Sequence, residues 1–201
     1  MKIKLKENEK RFKELLLATG RPEIDYVLER LETMGFFRAP ASVCKHLCVE
    51  GGLCQHSLNV YDEAMGLKAL QDDLHPGIGR LFPDESIAIA ALLHDVCKTD
   101  LYRKVTRQSK DLDGSWKKDS AFEASSDAFP VGHGEKSVIM LLQWGLDLSD
   151  AELLAIRWHM GAWNLPFQSQ DIIKQYNQAK KSHPLVALIA NADDLATNII
   201  E

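Results

Sequence analysis

Apolar positions recur along most of the chain at three- and four-residue intervals, the spacing that gives a helix one buried face. PEIDYVLERLETM (residues 22–34) opens on Pro22 and stops before Gly35, a start and a stop that helices favour. The same spacing predicts helices over 53–70, 85–97, 134–144, 150–160, 170–181 and 184–200. Ser149 or Asp150 suits the N-cap of the helix at 150–160, and Pro184 suits the first turn of the last one. The first 35 residues read as a helical N-terminal extension. One segment breaks the rhythm. LYRKVTRQSKDLDGSWKKDS alternates around Tyr102 and Val105, carries an Asp113-Gly114 turn signal and resumes at Trp116, which predicts a β-hairpin around residues 101–118.

The expected fold is therefore mainly α: one helical bundle with a small hairpin insertion. A chain of 201 residues, 45% hydrophobic, can bury one sizeable core. The net charge of −5 argues against a protein that coats nucleic acid. That charge is uneven, since seven Lys/Arg stand against three Asp between Lys98 and Lys118. Such a run is commonly a solvated loop; the sharper alternative is a basic flap over an anionic substrate. No apolar run approaches the roughly 20 residues of a membrane span, so no membrane partner is expected. Four cysteines in a chain of this size make no disulfide framework, and the expectation is a cytoplasmic protein. Cys44, Cys48 and Cys54 allow a structural zinc site without an evident fourth ligand; buried reduced thiols are the simpler account.

Polar residues in apolar surroundings change the picture. In IAIAALLHDVCK (residues 87–98), seven small or apolar residues run into His94, Asp95 and then Lys98. A buried carboxylate is costly unless something pairs with it. His56 falls on the apolar face of its helix, beside Leu67 and near Val60; taken alone, such a histidine is more often a hydrogen-bonded core residue than a ligand. In PLVALIANADDLATNII, Asp193 lies at the edge of the apolar stripe, while Asp194 points to the opposite, solvated face. His133 sits at a glycine-flanked helix start and His159 at a helix end before Gly161. Four imidazoles and two carboxylates can fill a divalent metal site, or a pair of sites sharing one carboxylate, and this set suits Mn, Fe, Mg, Co, Ni or Zn.

The order His56, His94-Asp95, His133, His159, Asp193 resembles that of the HD-domain metal-dependent phosphohydrolases. GGLCQHSLNV looks like the first-histidine motif of that superfamily, ALLHDVCK like its His-Asp-x-x-Lys motif, GHGEKS like its third motif and NADDLAT like its closing Asp motif. FFRAPAS…KH…GGLCQH is similar to the HD domain of bacterial 3′–5′ exoribonucleases. The resemblance runs over about residues 36–197, which suggests an HD domain over 36–201. The OB-type domain that precedes the HD domain in those exoribonucleases has no counterpart in the 35 residues before it. The Gly-Tyr-Pro motif and adjacent histidine pair of the cyclic-dinucleotide subfamily are also absent.

The resemblance implies a hydrolase with one or two divalent ions. It would place His56, His94, Asp95 and Asp193 on a first ion and Asp95, His133 and His159 on a second, with Asp95 as the bridge. Asp95 and Lys98 would be catalytic, Lys98 also stabilising phosphate charge, though a lysine ending a helix can equally be solvent-exposed. His46 and Arg103 are weaker candidates for substrate contact, alongside Lys104. Arg157 reads as structural, and Trp158 and Trp163, which flank His159, as core more readily than as base-stacking platforms. The expected substrate is a small phosphorylated molecule, nucleotide-like, with short single-stranded nucleic acid as the alternative. A non-catalytic metal-binding module is the alternative from another class. Oligomeric state is not legible.

Overall fold

The structure, a computed structural model, describes residues 3–111, 115–125, 129–161 and 169–201. In chain order its elements are α1 (Leu5–Leu17), α2 (Ile24–Thr33), α3 (Gly52–Leu74), α4 (Asp84–Leu93), the single turn α5 (Lys98–Leu101), β1 (Tyr102–Lys110), β2 (Trp116–Ala124), α6 (His133–Gln143), α7 (Asp150–Trp158), α8 (Gln170–Ser182) and α9 (Leu185–Leu195). The fold is mainly α, as the apolar periodicity predicts. Among the described residues, no helix is long and apolar enough to cross a membrane.

The most apolar run becomes the central helix. Every residue of α4 from Ser86 to Leu93 is buried, because α3, α7, α9 and α1 surround it. The N-terminal helices join the same core: Phe12, Leu16, Ile24, Val27 and Leu31 are buried with Leu53, Ile89 and Leu92. Phe12, Phe36 and Phe37 meet with ring centroids 5.0–5.5 Å apart, two of the three pairs edge-on.

Two polar devices fix the frame. Ser149 is the N-cap of α7 and forms a reciprocal capping box with Glu152. The Glu152 carboxylate is fully buried and also accepts from Ser86 Oγ (2.7 Å) and Arg21 Nη2 (2.5 Å), so α7 is tied to α4 and to the N-terminal helices. At the other contact, α6 crosses α7 at Gly134, where a Cβ would lie 2.1 Å from the Arg157 carbonyl oxygen. Only glycine permits that approach.

Several ends depart from the sequence expectation. α4 stops at Leu93 rather than 97, and α9 at Leu195 rather than 200. The chain after α9 widens into a π-turn, Ala196–Ile200, closed by the Glu201 N–H on the Ala196 carbonyl (3.0 Å). α3 runs on to Leu74, four residues past the expected end, through positions that are mostly exposed. The hairpin ends at Ala124 rather than 118, with Tyr102 opposite Ala124 and Lys104 opposite Phe122. A two-stranded ribbon exposed on much of both faces needs little alternation, so its second strand is hard to delimit. The Asp113-Gly114 turn lies outside the described residues.

Candidate metal centre

Every motif residue is delivered to one end of the bundle by a different element. His56 comes from the second turn of α3 and Asp193 from α9. His94 and His159 are the C-cap residues of α4 and α7, and His133 opens α6. His56, His94, Asp95, His159 and Asp193 are buried, and His133 is half-buried.

His94 and His159 are held by one repeated device. The Nδ1–H of His94 donates to the Ala91 carbonyl (2.7 Å), and that of His159 to the Ile156 carbonyl (2.7 Å). Each bond satisfies a carbonyl at a helix C-terminus, which otherwise lacks a partner. It also fixes the tautomer, so that Nε2 carries a lone pair turned into the bundle. His56 reaches the same state through a carboxylate, its Nδ1–H donating to Glu201 (3.0 Å). Glu201 in turn accepts from Asn59 Nδ2 (2.9 Å). Asn59 Oδ1 accepts from Gln55 Nε2 (2.8 Å), and Gln55 Oε1 from Asn8 Nδ2 (2.8 Å). A chain of amides thus runs from α1 to the Glu201 carboxylate, which accepts from Asn59 on one side and from the His56 ring on the other.

The atoms presented inward stand at close intervals. His56 Nε2 is 3.1 Å from His94 Nε2, 3.2 Å from Asp193 Oδ1 and 3.6 Å from Asp95 Oδ2. His94 Nε2 is 3.3 Å from Asp95 Oδ2, and His159 Nε2 is 3.4 Å from Asp95 Oδ1. Ligand atoms about 2.0–2.2 Å from one ion, at angles between a right angle and the tetrahedral value, stand about 2.8–3.6 Å apart. All five separations fall in that range. Asp95 Oδ1 and His159 Nε2 are buried without a hydrogen-bond partner, and His56 Nε2 and His94 Nε2, 3.1 Å apart with both Nδ1 atoms already donating, need a proton or a metal ion between them. The donor set therefore fits a divalent ion.

Charge gives the same answer. Three buried carboxylates (Asp95, Asp193, Glu201) face one buried ammonium, Lys98, so the cluster carries an excess of two negative charges before the imidazoles are counted. Lys98 is buried rather than solvent-exposed, its Nζ 2.6 Å from Asp95 Oδ2. Burial opposes ionisation of Asp95, yet Lys98 and the neighbouring histidines outweigh it and hold the carboxyl well below the usual range. Burial likewise opposes a charge on His56, but hydrogen bonds to Asp193 and Glu201 outweigh it and raise this ring to about 9. His94 is pushed down, chiefly by burial. His159 is raised against its burial by Asp95.

His94, His159 and Asp193 present ligand atoms within 4.8 Å of one another, as do His56, His94 and Asp95. His159 thus reaches the first group as well as Asp95. His133 stands apart with Asp95 and Cys97, its Nδ1 3.5 Å from Cys97 Sγ. His46 lies against the His56 ring with centroids 5.2 Å apart, both its nitrogens buried without a partner. Arg103 is exposed, opposite Glu123 in the hairpin register, and does not join the cluster. Arg157 pairs with Glu135 and lies 4.0 Å over the Trp158 ring, which is buried; both are structural. Trp163 lies outside the described residues. Cys44, Cys48 and Cys54 join no ligand group among the described residues, and only Cys54 of the three is buried.

Two residues escaped sequence reasoning. Glu201 follows the π-turn, so α-helical periodicity from Asp193 misplaces it; the only hint is the polar pair Gln55 and Asn59 one turn apart around His56. Cys97 is two positions from Asp95 and reads as an ordinary core thiol. Beside the centre a cleft of about 280 Å³ opens at the foot of the hairpin, lined by Met34, Arg38, Glu50, Tyr102, Lys104 and Phe122. Thr99, next to Lys98, also borders it.

No curated protein and no solved structure matches this chain significantly. The model of one family, the HD domain, matches residues 53–198, about three quarters of the chain, from the start of α3 to the turn after α9. The match spans His56, His94-Asp95, His133, His159 and Asp193 in order. The chain belongs to the HD domain family, whose members are generally metal-dependent hydrolases.

Proposed function

We propose that the protein is a metal-dependent phosphohydrolase that cleaves a phosphate ester of a nucleotide or short oligonucleotide at a centre of two divalent ions. The observation that carries this reading is the convergence of three imidazole Nε2 atoms, each with its Nδ1 fixed by an oxygen acceptor, on two buried carboxylates. His56, His94, Asp95 and Asp193 would hold one ion, with His159 in reach; Asp95 and His133 would hold the other.

When bound, the ions supply a water of lowered pKa and neutralise charge on the phosphoryl oxygens. The chain's own residues do the rest. Asp95 stays ionised beside Lys98 and spans both groups of ligands. Lys98 gives one of its three donors to Asp95 and keeps others for a phosphoryl oxygen. The surrounding apolar helices exclude bulk water, which strengthens each of these interactions.

The nucleotide part of the reading rests on the cleft. Tyr102 and Phe122 line it with aromatic surface suited to a base, and Arg38 and Lys104, both beside Glu50, are its cations. Glu50, paired with Arg38 (2.7 Å), anchors that wall to the start of α3. Exposed Lys104, Lys110 and Lys117 keep the hairpin basic.

The test is a panel of phosphate esters, including mononucleotides, cyclic nucleotides and single-stranded oligonucleotides, with Mn²⁺ and with chelator. The expected result is ion-dependent release of phosphate or nucleoside, abolished by His94→Ala. Stepwise shortening of oligonucleotides from one end would mark the exonuclease alternative. Metal uptake without hydrolysis of any ester would overturn the reading in favour of a binding module.

A further inference from the structure

We infer that Cys97 is itself a ligand of this centre, joining His133 and Asp95, so that the second position takes a thiophilic ion such as zinc, cobalt or ferrous iron over magnesium or manganese. The inference rests on the metal-dependent reading above and changes the ligand set.

The geometry is local and specific. Cys97 lies in the turn between α4 and α5, two residues after Asp95, and is fully buried. Its Sγ is 3.5 Å from His133 Nδ1, and both lie within 4.8 Å of an Asp95 carboxylate oxygen. With a zinc–sulfur bond of about 2.3 Å and a zinc–nitrogen bond of about 2.05 Å, a tetrahedral angle places the two ligand atoms about 3.5 Å apart. The backbone holds the pair together. The Cys97 N–H donates to Ser137 Oγ (3.3 Å), and Ser137 is one turn beyond His133 on α6. Gly134, packed on the Arg157 carbonyl, fixes that end of α6.

An independent observation points to a cation at this place. Asp95, the carboxylate of this trio, is buried with its Oδ1 lacking any hydrogen-bond partner. The other cysteines lack such company: Cys54 is buried in the apolar core, and Cys44 and Cys48 lie in the loop before α3 without full burial. A ligand trio of thiolate, imidazole and carboxylate is softer than the histidine–carboxylate set opposite, and soft ligands select zinc, cobalt and iron over the hard ions. Coordination releases the thiol proton to solvent, one per ion bound.

The test uses the full chain carrying Cys44→Ser and Cys48→Ser, which removes the accessible thiols. Loaded with Co²⁺, this protein is expected to show a sulfur-to-cobalt charge-transfer band in the near ultraviolet beside the visible ligand-field bands. Adding Cys97→Ser, or Cys97→Ala should serine disturb folding, removes the charge-transfer band and keeps ligand-field absorption from the remaining position. Zinc affinity at the second position falls by about tenfold or more, while manganese affinity changes by less than about threefold. Ligand-field bands without the charge-transfer band in the parent protein, or a band that survives loss of Cys97, would overturn the inference while leaving the metal centre intact. No cobalt uptake at all would overturn both.

Discussion

Replacing Glu201 separates two effects that this site sets against each other. The carboxylate orients His56 through Nδ1 and accepts from Asn59, with its side chain fully buried. Loss of such an orienting partner costs about 10- to 100-fold in metal affinity. The same carboxylate helps raise His56 to about 9, and a proton on this ring competes with an ion for Nε2. The folded-state value lies above the ordinary one, so below about 9 each ion bound must displace that proton. Affinity therefore climbs about tenfold per pH unit and levels off near pH 9. The proton's handicap is about 100-fold at pH 7 and about twofold at pH 9. Glu201→Ala thus weakens binding by about 10- to 100-fold at pH 9, where the orienting loss stands alone, and by distinctly less at pH 7, where relief of proton competition offsets it. Glu201→Gln keeps an acceptor for both neighbours and loses less than Ala at pH 9. Anaerobic Mn²⁺ titrations by calorimetry at the two pH values read this directly. Equal losses at both pH values, or no loss at pH 9, would refute the reasoning.

Other expectations follow from the frame. Glu152→Ala strands Arg21 and Ser86 around a buried void and costs about 3–5 kcal/mol, measured by urea unfolding; under about 1 kcal/mol would contradict its role. Gly134→Ala forces α6 off the Arg157 carbonyl, destabilises by about 1–3 kcal/mol and weakens uptake of the ion at His133, read by unfolding and by titration. Chelator treatment lowers the thermal midpoint by about 5–10 °C per ion held at a hundredfold excess over its dissociation constant, seen by calorimetry.

Much of this was legible because the sequence signals are energetic anomalies. His94-Asp95 follows the unbroken apolar run Ile87–Leu93, and Asp193 interrupts the stripe of another helix; a core tolerates such groups only when they meet partners, and they meet each other. What escaped has physical causes too. Glu201 escaped because a π-turn breaks the helical register that a wheel assumes. The early ends of α4 and α9 escaped because apolar periodicity runs through His94 and Leu195 without a Gly or Pro stop. His94 and His159 each tie down a carbonyl of the preceding turn, a capping role that composition does not display. Lys98, ambiguous as a helix-end lysine, is settled by its 2.6 Å contact with Asp95.

The central claim is a centre that binds ions through Asp95. Its most direct test is metal content by plasma mass spectrometry, on wild type and Asp95→Asn, after loading with divalent ions and desalting. Asparagine keeps the shape and avoids an empty space beside Lys98. The account predicts about two equivalents per wild-type chain and less than about one in the variant, with the helical circular-dichroism spectrum retained. A wild-type chain that retains no ion, or a variant that retains as many as wild type, would contradict it.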